Sequence, residues 1–279
     1  MGTYLRPLDL EETLAALAAA PLTILAGGTD FYPAHVGKPI AKNIIDVTRI
    51  LALRGISEAG DIWRIGATTT WTDLIRAPLP NYFRALKLAA REVGGQQIQN
   101  AGTIAGNICN ASPAADGVPA LLALGASVEL RSFDAIRQIP LAEFVLGNRK
   151  TSRQSNELLT AILVPKWGEN SRSAFLKLGA RKYSLISIVM VAACVELDEN
   201  GIITKTGISV GACSPVARRL SELETKLIGQ RLNASLADIV TPSDFASLSP
   251  IADVRSSADY RTDAALTLVK RALKELADE

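Results

Sequence analysis

The sequence predicts an α+β protein built in two parts, and three observations carry that expectation. Short apolar runs alternate with helix-like segments in the first half. The second half holds two long apolar-rich strands joined at Asn200-Gly201, and a polar, turn-rich stretch from Lys166 to Ser173 separates the halves. At 279 residues, 48% hydrophobic and 21% charged, the chain is long enough for two modest cores and has no biased tract that resists folding. The expected parts are 1–166 and 167–279, with the first divided again near residues 50–55.

Leu8 to Ala20 reads as a helix: Asp9 can cap it, Glu12 stands three residues on as in a capping box, Leu10, Leu14 and Leu17 share a face, and Pro21 stops it. Leu22 to Leu25 is a short buried strand ending at a glycine pair. Asn43 to Val47 is a second strand, which completes a compact βαβ-like unit. Gly55 to Ala67 holds two short strands around Ala59-Gly60-Asp61. Thr70 and Asp73 offer a capping pair for a short helix, and Asn81 to Val93 is a clearer helix closed by Gly94-Gly95. After a run of small residues come a helical turn or two at Val118 to Gly125, an alternating strand at Ala126 to Ser132 and another strand at Glu157 to Pro165. Beyond the polar stretch, two strands form a hairpin over Glu199-Asn200-Gly201. Helices follow at Val216 to Gly229, Ala234 to Val240 and Asp259 to Leu276, packed on one side of that small sheet.

Composition excludes several functions. Thirty Lys and Arg against 28 Asp and Glu leave a formal charge of +2, spread along the chain, so no basic field exists to hold nucleic acid. Cys109, Cys194 and Cys213 are unclustered, which argues against a zinc site or an iron-sulfur cluster in this chain alone. His35 is the single histidine, expected on a surface or loop, so two-histidine hydrolase motifs are ruled out. Met1 to Ala20 lacks the basic start and apolar centre of an export signal, and no stretch approaches about 20 apolar residues, so a cytoplasmic location is expected.

The stretch QNAGTIAGNICNASPAADG, Gln99 to Gly117, is dense in small residues, which suits a close approach to its backbone. Two segments there and upstream, Ala26-Gly27-Gly28-Thr29-Asp30 and Thr103-Ile104-Ala105-Gly106-Asn107, each offer consecutive N–H groups beside a hydroxyl. Such a nest can hold a phosphate without Lys or Arg. Neither is a Walker A loop nor G-x-G-x-x-G. One Gly-Gly after a strand is more often a plain turn; two such segments point to a shared ligand with two phosphates. A side chain at Gly28 or Gly106 is then expected to occupy a phosphate's place.

The pattern I-L-A-G-G-T-D-F, followed about 75 residues later by N-A-G-T-I-A-G-N-I-x-N-A-S-P-A-A-D, resembles the FAD-binding medium subunit of the molybdenum hydroxylases. That family includes xanthine dehydrogenase, aldehyde oxidoreductases and aerobic carbon monoxide dehydrogenase. F-L-K-L-G-A-R-K at Phe175 to Lys182 and I-A-D-V-R-S-S-A-D-Y-R at Ile251 to Arg261 extend the likeness over nearly the whole chain. The resemblance implies a PCMH-type, vanillyl-alcohol-oxidase-like FAD-binding domain followed by a smaller domain like the CO dehydrogenase flavoprotein C-terminal domain, with FAD between them.

Carried over residue by residue, the resemblance implies that Ala26, Gly27, Gly28, Thr29 and Asp30, with Thr103, Ile104, Ala105, Gly106 and Asn107, hold the pyrophosphate. It sets Phe31 against the flavin ring, where an ordinary core Phe is the alternative, and makes Asp116 an acceptor from FAD hydroxyls, where capping the next helix is the alternative. It places Leu158 or Leu159 at an apolar contact and Lys177 near the flavin, where a cation stabilises charge on the reduced ring; a solvated strand lysine is the alternative. Asn110 and Ser112 are weaker candidates. Many members carry an acid where this chain has Leu185, so any role of that acid is in doubt here. No metal site and no catalytic acid or base is expected. Implied partners are a small 2Fe-2S subunit and a large molybdopterin subunit, as a dimer of heterotrimers, with NAD+, oxygen or another acceptor as the outlet. A stand-alone flavoenzyme and a non-redox nucleotide-binding module are the alternatives.

Overall fold

The computed structural model describes residues 2–181 and 186–278. Lys182, in the Phe175–Lys182 motif, and Leu185 therefore lie outside the described residues.

The chain opens on β1 (Tyr4–Leu5), α1 (Leu10–Ala19), β2 (Thr23–Leu25) and β3 (Ile44–Asp46), which form a parallel sheet in the order β1-β3-β2. Asp9 caps α1 by accepting from the Glu12 amide at 2.8 Å, so the local signal for the helix start is realised. Leu14 and Leu17 of α1 bury against Ile45, Val47, Ile50 and Leu53, and Leu158 joins them from far along the chain. The strand β1 had no signal of its own: two exposed residues carry no alternation.

A second, antiparallel sheet follows in the order β4-β5-β10-β6-β7, from β4 (Ile56–Ala59), β5 (Ile62–Gly66), β6 (Ser127–Arg131), β7 (Ile136–Pro140) and β10 (Leu158–Pro165). Between β5 and β6 run five helices: α2 (Trp71–Arg76), α3 (Arg84–Glu92), α4 (Gln96–Ala101), α5 (Ile104–Asn110) and α6 (Gly117–Ala123). A short α7 (Leu141–Phe144) and the hairpin of β8 (Val145–Gly147) and β9 (Lys150–Thr151) lead into β10. Thr70 and Asp73 close a full capping box at α2. The small-residue run is largely helical, because a helix needs no large side chain where its neighbours close in on it.

The last sheet has the order β11-β12-β13-β14: β11 (Ser171–Leu178), β12 (Val189–Leu197), β13 (Ile203–Gly211) and β14 (Arg218–Arg219), all antiparallel. Gly201, at φ +75, makes the expected turn between β12 and β13. One face is covered by α8 (Ser221–Leu227) and α9 (Ala258–Asp278), as expected, while Ala234–Ile239 is a 3-10 turn. The other face rests on helices of the first part. Along β12, Val189, Val191, Ala193 and Val195 point into the core with α8 and α9, and Met190, Ala192 and Cys194 point into the core that holds α3 and α6. The polar stretch between the halves is not a free linker. Trp167 is buried and its indole N–H donates to Leu124 O at 3.1 Å, and β11 starts at Ser171. Among the described residues no helix is long and apolar enough to cross a membrane.

Candidate functional site

The loop Ala26 to Phe31 leaves the carboxyl end of β2, the edge at which parallel sheets present ligand sites. It then turns back on itself, with Tyr32 N–H donating to Gly28 O at 3.0 Å and Ala34 N–H to Asp30 O at 3.3 Å. The N–H groups of Gly27, Gly28, Thr29, Asp30 and Phe31 meet no acceptor among the described residues. Five successive main-chain donors are thus left open in a half-buried loop that carries no Lys or Arg, a run of partial positive charge without a cation. Gly28, at φ +70, permits the turn, and a Cβ on it would lie 2.5 Å from the Tyr32 ring. A side chain at Gly28 would therefore meet the Tyr32 ring and an unfavourable backbone angle.

This loop meets the second small-residue segment directly. A Cβ on Gly27 would sit 2.0 Å from Ala101 O and 2.9 Å from Gly102 Cα, and one on Gly102 would lie 3.5 Å from Thr29 Oγ1. The two distant stretches are thus in backbone contact on one side of the molecule. Their roles differ, however. Thr103 caps α5: its hydroxyl accepts from Gly106 N–H at 3.1 Å and its carbonyl from Asn107 N–H at 3.1 Å, while Ile104 N–H donates to Thr69 O at 3.0 Å. Of the amides from Ile104 to Asn107, only that of Ala105 lacks an acceptor among the described residues. A Cβ at Gly106 would press on the capping Thr103 hydroxyl at 2.7 Å. The second segment is a capped helix start that keeps one open amide, at Ala105, where the first keeps five. What it adds is Asn107 Oδ1, a buried acceptor that meets no donor among the described residues.

Asp116 and Lys177 come together as a buried ion pair, Nζ to Oδ2 2.9 Å, across the contact between the first part and β11. Lys177 also donates to Glu92 O at 3.3 Å, and Ser187 Oγ donates to Asp116 Oδ1 at 2.7 Å. Burial pushes the Asp116 carboxyl above its ordinary value, and the Lys177 ammonium partly offsets this. Asp116 precedes α6 but makes no side-chain cap, so the capping alternative is not realised. Lys177 is not a solvated strand lysine, because its side chain is 9% exposed.

Phe31 is half-buried, stacked at 4.5 Å on the His35 ring, whose Nδ1 donates to Phe31 O at 2.7 Å. It is not a core residue. Leu158 and Leu159 both are, at 3% and 2% exposure, in two different cores. Ile104 is fully buried, Asp30 is exposed, Asn110 ends α5, and Ser112 Oγ accepts from Ala114 N–H. Ser187 and Tyr32 had no sequence signal, since each gains its meaning only from a neighbour brought by the fold. Five open amides suit an anionic oxygen, and the Asn107 carbonyl suits a hydroxyl. The residues present therefore fit a phosphate-bearing, hydroxyl-bearing molecule such as a flavin dinucleotide.

Residues 1–167 match the family model described as the FAD binding domain in molybdopterin dehydrogenase, and residues 174–276 match the CO dehydrogenase flavoprotein C-terminal domain. Similar proteins include a xanthine dehydrogenase FAD-binding subunit of Escherichia coli, 31% identical over 98% of this chain and 95% of that one. A nicotinate dehydrogenase FAD-subunit of Eubacterium barkeri is 29% identical over 99% and 96%. Among solved structures, a reconstituted CO dehydrogenase from Oligotropha carboxidovorans superposes with a TM-score of 0.90 at 27% identity, covering 99% of this chain and 97% of that one.

Proposed function

Because the chain belongs to the family of FAD binding domains in molybdopterin dehydrogenase, we propose that it is the electron-transfer subunit that carries FAD in a molybdenum hydroxylase complex. On this proposal a small partner with 2Fe-2S clusters delivers electrons and a large molybdopterin partner oxidises the organic substrate. The three chains assemble as a dimer of heterotrimers, and NAD+ or oxygen takes the electrons away. Bound FAD supplies a centre that takes up and releases two electrons.

The observation that carries the proposal is the set of open amides from Gly27 to Phe31, in backbone contact with Ala101-Gly102. These amides would hold the pyrophosphate by main-chain dipoles alone, with no Lys or Arg in the loop. The Ala105 amide would add one donor, and Asn107 Oδ1 would accept from a hydroxyl. Asp116 keeps lone pairs beyond those used by Lys177 and Ser187, so it too can accept a hydroxyl. Lys177, held by Asp116 and Glu92 O, keeps its ammonium beside the seam between the two parts. Phe31, off the core and next to the open amides, would lie against the ring.

The test is a titration of the purified chain with FAD, followed by NADH and an artificial dye. Saturable flavin uptake with NADH-dependent dye reduction is expected. Absence of flavin binding would refute the proposal, and fast reoxidation by oxygen with no response to NADH would refute NAD+ as the acceptor.

A further inference from the structure

Trp71 stands at the meeting point of the elements just described, although nothing in the sequence marks it. It is the first residue of α2, 1% exposed, and its backbone N–H donates to Gly102 O at 3.2 Å. Its indole reaches in two directions. The Cδ1 edge lies 3.5 Å from the point where a Cβ on Gly102 would be, a point also 3.5 Å from Thr29 Oγ1. The opposite edge, Cη2, lies 2.3 Å from the corresponding point on Gly117, the residue after Asp116. One ring therefore spans the gap between the amide loop and the Asp116 corner, and the absence of a side chain at Gly117 is what lets it fit.

The ring is held firmly at its root. The Thr70–Asp73 capping box fixes the start of α2, Arg54 grips Asp73 at 3.0 and 3.1 Å, and Ile104 N–H binds Thr69 O, tying the start of α2 to the start of α5. The chain has three tryptophans, and buried indole N–H groups ordinarily find an acceptor. Trp63 donates to Tyr82 Oη at 2.9 Å and Trp167 to Leu124 O at 3.1 Å. The indole N–H of Trp71 is bonded to no acceptor among the described residues, yet its nitrogen is not among the buried unpaired atoms, so this one edge of an otherwise buried ring stays open to a ligand or solvent. Its nitrogen neighbours Cδ1, at the edge turned towards Gly102 and Thr29.

We propose that Trp71 is a cofactor-binding residue: its ring sets the span between the amide loop and Asp116, and its indole N–H donates to an oxygen of the bound dinucleotide. The inference rests on the FAD seat proposed above and adds a residue to it. Its test is a double-mutant cycle read by FAD affinity and by the circular dichroism of the bound flavin, with thermal unfolding as the check on folding. Trp71→Phe removes the N–H and shortens the ring. Gly117→Ala drives a methyl into the ring and keeps the N–H. Each is expected to weaken FAD binding by about tenfold or more and to alter the flavin's dichroism. The double variant is expected to bind no more weakly than Trp71→Phe alone, because the smaller ring leaves room for the new methyl.

Affinity of folded Trp71→Phe within twofold of the parent, or losses that simply add in the double variant, would overturn the inference while the parent still binds FAD. If Trp71→Phe does not fold, unchanged affinity in Gly117→Ala overturns it equally. A parent chain that takes up no FAD brings down the functional proposal as well, and is seen before any variant is made.

Discussion

Gly27→Ala puts the contact between the two distant segments under direct strain. The new methyl would start 2.0 Å from Ala101 O, a main-chain atom that cannot swing aside, so the loop and the end of α4 must part by about 1.5 Å to reach ordinary contact. Overpacking of this kind costs about 1–3 kcal/mol of stability. The larger effect falls on the ligand. Amides displaced by that distance lose hydrogen-bond geometry, and two charge-assisted bonds lost at about 1.5–3 kcal/mol each weaken FAD binding by roughly two to four orders of magnitude. The assay is equilibrium titration of the apoprotein with FAD, followed by flavin fluorescence, beside far-ultraviolet dichroism to establish folding. Gly147→Ala is the control, since nothing lies within 4 Å of its added methyl. A folded Gly27→Ala protein that binds FAD within threefold of the parent would refute the argument that this contact shapes the phosphate site.

Other expectations concern acid stability, backbone strain and thiols. Arg137 holds the Glu157 carboxylate below its ordinary value of 4.5 against an opposing effect of burial, with bonds of 2.6 and 2.9 Å. The stability this gives is present above pH 4.5 and lost as the pH falls through the lower folded value, so Glu157→Gln should flatten the acid side of a plot of melting temperature against pH. An unchanged acid slope would count against it. Arg149 is exposed at φ +59 in the β8–β9 turn, and Arg149→Gly should raise stability by about 1 kcal/mol, measured by denaturant unfolding; a loss would show that the arginine's contacts outweigh the strain. Burial pushes Cys213 up to about 11 and Cys194 higher still, so a disulfide reagent at pH 7.5 should spare both in the native chain, where only Cys109 is half-exposed, and titrate three thiols after unfolding. Rapid reaction of more than one thiol in the native protein would contradict that burial.

Local signals were the legible ones. Asp9 before α1, the Thr70–Asp73 pair at α2 and Asn200-Gly201 between β12 and β13 act within four residues, so their partners are visible in the sequence itself. The family pattern located both halves of the candidate site, and the fold brings those halves into contact. Their division of labour was not legible. Thr103 reads as a phosphate ligand in the pattern, and its part as the cap of α5 appears only in the 3.1 Å bond from Gly106. Asp116 and Lys177 lie 61 residues apart, and either alone reads as solvated or capping. The helices α4 and α5 escaped notice because small and amide residues carry no apolar period. Strands β1, β8 and β9 are two or three residues long, too short for alternation to register.

The two-faced burial of β12 has a consequence for how the molecule comes apart. Severing the chain after Pro165 would strip the wall that Met190, Ala192 and Cys194 lean on, and the detached C-terminal fragment would carry a bare greasy flank into water. A strand shared in this way behaves as a keystone, so heating should produce a single calorimetric transition for the whole chain in place of two successive ones.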